Sequence, residues 1–536
     1  MQARTKLLFF VKVPVRWYTG KHVDHALETA LNSVLEHTKE AYLPLLRACD
    51  KLSSLRKIHQ QMIQKKVVVD KLLKNVLIDM YGKCGGLDES RAVFQSIQDR
   101  DGPNVFSWTV LISAYARNGH NNVALDLFHR MELAGVRASE ATLVIAVGIC
   151  SKLGAPHGLR IGKRLHQRIE AQVSMNLMTA LLDMYSKCGC QREAREIFQS
   201  FQSTDTVWWT AMMDALVRWG DPSGALNLRS RMALEGIPAS TVTFVVALTA
   251  CSCCSCGSLS RKVASQIHDE ISSRGLDSNP VLASALVSVY GKHDNFQKSW
   301  KVFQDIGSSR RSLSCWNSMV LTCARHGFHE RVLDLYSQMS VEGSVVPDEI
   351  TFSIVLSCCQ RIEDGEKILS EAAAAACDQF DQVRSAAIDF YARIGDLGSS
   401  RHVFEKDSHC RSLSCWNALI GAYSHHGYGR QSLDLVLRMK IEGVMPDQLT
   451  FMSAMFASSH TGLVERGLEC FLEMEAEHGI VPSPEHCRCL IDLLGRAGQI
   501  EGAEAMLEED PCEMEWSILV GARKNLADEE ALTWVP

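Results

Sequence analysis

Four tryptophans recurring at nearly constant intervals constrain this chain more than any other feature. Trp108, Trp209, Trp316 and Trp416 are spaced by 101, 107 and 100 residues. The last two sit in almost identical hexapeptides, Leu-Ser-Cys-Trp-Asn-Ser at 313–318 and Leu-Ser-Cys-Trp-Asn-Ala at 413–418. A second series interleaves with the first: Leu77 to Tyr81, Leu181 to Tyr185, Leu286 to Tyr290, Ala387 to Tyr391 and Leu490 to Leu494. Its last positions lie 104, 105, 101 and 103 residues apart. A third is marked by Thr142-Leu143, Thr243-Phe244, Thr351-Phe352 and Thr450-Phe451. Three kinds of unit, each of about 31 to 36 residues, therefore alternate within a super-period near 100. At roughly 150 residues per domain, 536 residues suggest three or four globular domains. The repeats divide the chain instead into about fourteen short units.

Each unit has the pattern of two amphipathic helices. Trp108, Leu111, Ile112 and Tyr115 follow i, i+3, i+4, i+7 spacing. A break at Asn118-Gly119 follows, and Ala124, Leu127, Phe128 and Met131 repeat the spacing. Gly135 is placed to end the second helix in a left-handed cap. Related units close at Gly236-Ile237-Pro238, Val346-Pro347-Asp348 and Met445-Pro446-Asp447, where proline stops the helix. One helical hairpin cannot bury its own apolar stripe, so neighbours must stack on it. The expected fold is all-α, an α-solenoid of stacked helix-turn-helix repeats.

Composition agrees with a packed array. Hydrophobic residues make up 46% and charged residues 22%, outside the range of a disordered chain. Stretches such as 243–250 and 372–376 fall far short of the roughly 18 uninterrupted apolar residues of a membrane helix, which excludes a membrane span. A net charge of −6 does not mark the chain as basic, yet a local basic groove can bind phosphates on an acidic protein. Twenty cysteines are too few for a disulfide scaffold of this length and read as reduced thiols of an intracellular protein. Residues 1–24 have the composition of an organellar transit peptide. Arg4, Lys6, Lys12, Arg16 and Lys21 precede the first acidic residue, Asp24, around an apolar run from Leu7 to Val11. The absence of serine before Ser33 points to the mitochondrion, with the chloroplast as the alternative. Residues 25–40 form a cap or linker.

Enzymatic chemistry finds no foothold in these patterns. A zinc deaminase needs His-x-Glu followed by Pro-Cys-x-x-Cys. His268-Asp269-Glu270 has the first part, but no Cys-x-x-Cys follows it. His268 also recurs as His59 and His166 at the same place in related units, which makes it a repeat position. Cys251, Cys253, Cys254 and Cys256 contain metal-like spacings, yet Cys251 lies eight residues after Thr243, as Cys150 follows Thr142 and Cys359 follows Thr351. Small buried thiols between helices account for that series. Cys84 and Cys188 become His293, Ile394 and Ala497 in later units, which no ligand or nucleophile tolerates. No Walker-type loop or Ser-His-Asp arrangement stands out, and no cofactor or metal is called for. The acidic run from Glu508 to Glu515 reads as a solvated helix face.

Trp416-Asn417-Ala418-Leu419-Ile420, Gly427, Leu433 to Met439, Gly443 and Pro446-Asp447 resemble the pentatricopeptide-repeat unit. The alternating unit lengths resemble the PLS subfamily of plant organellar proteins, and 181–189 is similar to its short unit. The resemblance covers residues 41–512. Short units start near 71, 175, 280, 381 and 485, tryptophan units near 105, 206, 313 and 413, and long units near 41, 140, 241, 349 and 448. Residues 513–536, from Glu515-Trp516-Ser517 onward, resemble the start of the family's carboxy-terminal E-type extension. The extension is expected to be truncated, with only Leu526 to Pro536 left after its start, and the DYW deaminase domain that follows it in some members is not expected here.

The resemblance implies a right-handed superhelix whose first helices line a concave groove for single-stranded RNA, read at one base per unit. DNA is not expected as a partner. It further implies that the residue after the tryptophan and the last residue of the unit read the base. Asn317 with Asp348 and Asn417 with Asp447 resemble uridine pairs, Thr179 with Asp205 a guanosine pair, and Asn75 with Asn104 a pyrimidine pair. Thr109 with Ser139 and Thr210 with Ser240 lean toward adenosine. Ser284 with Ser312 and Ser385 with Ser412 carry no preference, and the long units are assigned none. The resemblance implies aliphatic residues flanking each base at the second position. Phe106 and Val207 fit, whereas Ser314 and Ser414 do not. The alternative for Asn317 and Asn417 is a solvated residue at a helix start, bonded to nearby backbone. The implied role is recognition of a site for RNA editing, processing or stabilisation, with a deaminase or other editing factor acting in trans. A protein-interaction scaffold that no longer reads RNA is the competing reading, favoured by the serine-rich last positions and the acidic balance.

Overall fold

The i, i+4 stripes fold as helices whose ends fall at the capping residues. A computed structural model describes residues 39–499, apart from 66, 68, 98–101, 170–173, 202, 255–256, 308–309, 343–344 and 407–411. The expected transit segment, most of the 25–40 linker and the extension at 513–536 lie outside the described residues. Among the described residues there are 27 helices and no strand. They fall into two compact bodies, one ending at Cys253 and the other beginning at Cys254.

Each body is a stack of helical hairpins. In the first, Val105–Arg117 begins after Asn104, whose side chain accepts from the Ser107 backbone N–H at 2.9 Å. Gly119, at φ +80°, reverses the chain, and the His120 N–H reaches the Tyr115 carbonyl at 3.0 Å. Asn121–Leu133 then runs back and ends before Gly135, at φ +74°. In the second body Leu413–His425 and Gly429–Ile441 form the same hairpin. Within each body, first helices pack on the first helices of the adjoining units.

Two devices close the hairpins. At the crossing point the second helix presents a fully buried small residue: Ala124, Ala194 and Ala225 in the first body, Ser299, Ser400 and Ser432 in the second. The serines donate to first-helix carbonyls of Val287, Ile388 and Ile420 at 3.0, 3.0 and 3.1 Å, so these three buried hydroxyls are satisfied. The tryptophans then bridge units. Trp416, fully buried, packs on Ile388 and Phe404 of the preceding hairpin and on Val436 and Met439 of its own. Edge-to-face pairs recur at Phe94–Trp108, Phe303–Trp316 and Phe404–Trp416, with centroids 4.8, 5.0 and 4.7 Å apart.

The recurring histidines join neighbouring units as well. Nδ1 of His59, His166 and His268 meets the hydroxyls of Tyr81, Tyr185 and Tyr290 at 2.8, 3.0 and 3.0 Å. Burial lowers all three imidazole pKa values below the ordinary one and raises those of Tyr81 and Tyr185 to about 12. Because the folded histidines take up protons less readily than unfolded ones, their contribution is present above about pH 6.5 and is lost as pH falls below it. The melting temperature is expected to drop between about pH 7 and 5.5. Replacing the three histidines with glutamine should flatten that profile in a pH series of thermal melts.

Candidate nucleic-acid interface

The residue after each tryptophan lies in the second turn of its helix, opposite the residue that caps the next first helix. Asp348 caps Glu349–Cys358: its Oδ1 accepts from the Thr351 N–H at 2.9 Å, and its own N–H donates to Thr351 Oγ1 at 3.3 Å. Asn317 Nδ2 donates to the same Asp348 Oδ1 at 3.0 Å, and Thr351 Oγ1 donates to Asn317 Oδ1 at 2.6 Å. The second pair repeats this. Asn417 Nδ2 donates to Asp447 Oδ1 at 3.0 Å, and Thr450 Oγ1 donates to Asn417 Oδ1 at 2.6 Å. Both asparagines are largely buried, 9% and 7% exposed. They are therefore not solvated helix-start residues, and their partners are the last residue of their own unit and the third residue of the next, not local backbone. One amide N–H and one oxygen lone pair of each are left for a ligand.

The two threonine pairs are built alike. Thr109 Oγ1 donates to the Val105 carbonyl at 2.7 Å and meets Thr142 Oγ1 at 2.6 Å, and Ser139 Oγ meets the same Thr142 at 2.8 Å. Thr210 donates to the Thr206 carbonyl at 2.7 Å and meets Thr243 at 2.8 Å, which Ser240 meets at 2.9 Å. Since the carbonyl takes the hydroxyl proton, Thr109 and Thr210 can offer a ligand only an acceptor. Such a site matches a base amino group, as on adenine or cytosine.

In the short units the predicted partners are not joined. Thr179 donates to the Met175 carbonyl, and Asp205 caps the Val207 N–H at 2.7 Å. Asn104 accepts from Ser107 Oγ at 2.9 Å, and the buried Oδ1 of Asn75 has no hydrogen-bond partner. Ser284 pairs with Ser314 at 2.7 Å, and Ser385 donates to the Gln382 carbonyl. The difference lies at the third residue of the following unit. After the tryptophan units it is Thr142, Thr243, Thr351 or Thr450; after these short units it is Ser107, Trp208, Cys315 or Cys415.

Below each reader, positions i+4 and i+8 continue the same helix face. Asn75, Asp79 and Lys83 form one such stripe, and Thr179, Asp183 and Lys187 another. The i+8 position, in the last turn, is cationic in most first helices: Lys83, Arg117, Lys152, Lys187 and Arg218 in the first body, Lys292, Arg325, Arg393 and Arg496 in the second, all exposed. Ladders show that neighbouring stripes share one face. Asp79 pairs with Lys83 at 2.7 Å and with Arg117 of the next first helix at 2.6 Å, and Asp183 likewise with Lys187 and Arg218. Burial alone would raise both aspartates, but these cations hold them below the usual carboxylate value. Cations at helix C-termini also suit the helix dipole.

Apolar second residues flank this face. Phe106 and Val207 are 57% and 62% exposed. Leu72, Val242, Val281, Ile350 and Leu449, which sequence reasoning passed over, are exposed at the same position of short and long units. Ser314 and Ser414 are exposed too, so the two asparagine–aspartate stations lack an apolar flank of their own.

This periodic layout has counterparts in known proteins. The pentatricopeptide-repeat model matches residues 74–101, 209–237, 281–310, 314–344, 414–444 and 486–509, and a related repeat-family model matches 103–152. The pentatricopeptide repeat-containing protein At1g03540 of Arabidopsis thaliana is 30% identical over 520 residues, covering 94% of this chain and 82% of that protein. The chain belongs to the pentatricopeptide repeat family. Among its relatives in Arabidopsis thaliana are the chloroplastic family member At1g11290, 32% identical over 87% of this chain, and the mitochondrial At3g09040, 31% identical over 88%. This pentatricopeptide repeat protein spans 57% and 46% of their lengths. The crystal structure of maize PPR10 aligns with a TM-score of 0.47 at 17% identity, over 92% of this chain and 84% of that one. PPR10 has also been crystallised with an 18-nt psaJ RNA element.

The other candidates of this pentatricopeptide repeat protein resolve into packing. The His268 ring bonds Tyr290, and Glu270 pairs with Arg274 at 2.6 Å. Cys150, Cys251 and Cys359 are buried; burial pushes Cys150 up to about 12 and Cys359 to about 11, so both remain thiols at neutral pH. Cys84 and Cys188 stand at helix C-termini, with pKa values raised by burial. Glu473, Glu477 and His478 come close enough to share a cation. Glu473, however, already pairs with the Lys440 ammonium and with His478, and that ammonium repels a metal ion.

Proposed function

We propose that this protein binds single-stranded RNA in a sequence-selective way, reading bases at the stations of its tryptophan units. The observation that carries the reading is the pair of closed Asn–Asp–Thr stations, Asn317–Asp348–Thr351 and Asn417–Asp447–Thr450. Each holds a donor and an acceptor toward a ligand on a face that also carries exposed cations from many of the first helices. Stacked helical repeats of this sort match one nucleotide per unit, and cations along that face suit the phosphates between them. The protein acts in an organelle, as the chloroplastic and mitochondrial names of its relatives suggest, and the sequence-based reading favours the mitochondrion. Its unit alternation supports membership of the PLS subfamily, and its role is to mark a site for editing, processing or stabilisation by a partner enzyme.

Selection from a pool of randomised single-stranded RNA, followed by sequencing of the bound fraction, tests this directly. The expected result is enrichment of uridine at two positions three nucleotides apart, one per unit from the unit at 313 to that at 413. Flat enrichment would leave the scaffold reading in its place.

A further inference from the structure

We infer that Thr351 and Thr450 are specificity-determining positioning residues, whose hydroxyls fix the amide orientation of Asn317 and Asn417 and so decide which base edge each station accepts. The inference rests on the RNA reading above and adds residues outside the predicted base-reading pairs. A primary amide turned over by 180° keeps its shape but exchanges donor and acceptor. An asparagine free to turn would pair with uracil in one state and with cytosine in the other. At both stations the turn is blocked from two sides. Asp348 or Asp447 can only accept and so takes Nδ2, at 3.0 Å in each case. The threonine hydroxyl, 2.6 Å from Oδ1, meets the other end of the amide.

The hydroxyl's own polarity is set by its surroundings. The backbone N–H of Asp348 or Asp447 donates to it at 3.3 or 3.1 Å, so its single proton is shared between asparagine Oδ1 at 2.6 Å and the carboxylate at 2.8 or 2.9 Å, with the shorter contact to the asparagine. Both threonines are fully buried, so neither can touch RNA, and any effect on base preference must pass through the asparagine. Asn75 supplies an internal contrast. Its following unit carries Ser107, whose hydroxyl bonds Asn104 at 2.9 Å, and Asn75 Oδ1 stays buried without a hydrogen-bond partner. The same reader without the bridging hydroxyl has nothing to orient its oxygen.

The test uses the full chain and the randomised RNA pool, with the wild type beside Thr450→Val, Thr450→Ser and Thr351→Val. Valine keeps the shape and the backbone N–H but removes the hydroxyl, whereas serine restores it. Thr450→Val is expected to weaken the uridine preference at its own position by about fivefold to tenfold, the scale of one lost hydrogen bond, while the uridine read at the 313 unit persists. Thr351→Val should give the mirror image, and Thr450→Ser the wild-type pattern. The retained position serves as the folding control within each variant. Unchanged preference at both positions in Thr450→Val, or equal loss at both, overturns the inference. A wild type with no uridine preference would remove the RNA reading itself and this inference with it.

Discussion

Replacing Trp416 with alanine is expected to lower the unfolding free energy by about 3 to 5 kcal/mol, the range for deleting a buried aromatic. The indole is fully buried and touches three hairpins: Ile388 and Phe404 before it, Val436 and Met439 in its own, and Ala454 after it. The Arg438 guanidinium also sits 5.8 Å from its ring centre. In a stack where each hairpin is stabilised by its neighbours, the cavity falls on the interfaces, which cannot collapse without shifting whole units. Trp108 holds the equivalent place but is 9% exposed, so its alanine variant should lose less. Urea denaturation of both variants checks the order. A Trp416→Ala midpoint within error of the wild type would contradict the core described above.

Changing Lys292 and Arg325 together to glutamine is expected to weaken RNA binding about twentyfold at 0.1 M salt and to reduce the log–log salt slope by about 1.4. These figures follow from roughly 0.7 counterions released per single-strand phosphate contact. The two side chains end adjoining first helices, are exposed, and have no ion-pair partner among the described residues. Lys83 and Lys187 hold the same place in the first body but are paired with Asp79 and Asp183 at 2.7 and 2.8 Å. Glutamine at those two positions should cost less affinity, because their charge is already partly compensated. Filter binding across a salt series separates the cases. Equal losses from both double variants would show that the ion pairs open when RNA binds.

Much of the fold was legible because it is local and repeated. The i, i+3, i+4, i+7 pattern of Trp108 to Tyr115, the reversal at Gly119 and the stop at Gly135 depend on residues within one turn of each other. The candidate site was legible only in part. Asn317, Asp348, Asn417 and Asp447 were found by their resemblance to reading positions, yet the threonines that join them served only as markers of a period. Leu72, Val242, Val281, Ile350 and Leu449 were missed because a second-position residue has meaning only once the helix start is known. The spacing of the cations in the last turns is visible in the sequence, but their exposure is not.

What the sequence determined by itself was the unit: its length, its two helices, its caps and the order of three unit types. Those follow from side-chain periodicity and capping chemistry, which act over a few residues. What the tertiary structure decided was which polar atoms are already bonded and which remain for a ligand. Asn317 and Thr351 lie 34 residues apart and Asn417 and Thr450 lie 33 apart, so their hydrogen bonds exist only once one hairpin is stacked on the next. The same stacking bridges the tryptophan-unit pairs and leaves Asn75 and Asn104 unjoined, because the side chain that could bridge a pair belongs to the following unit.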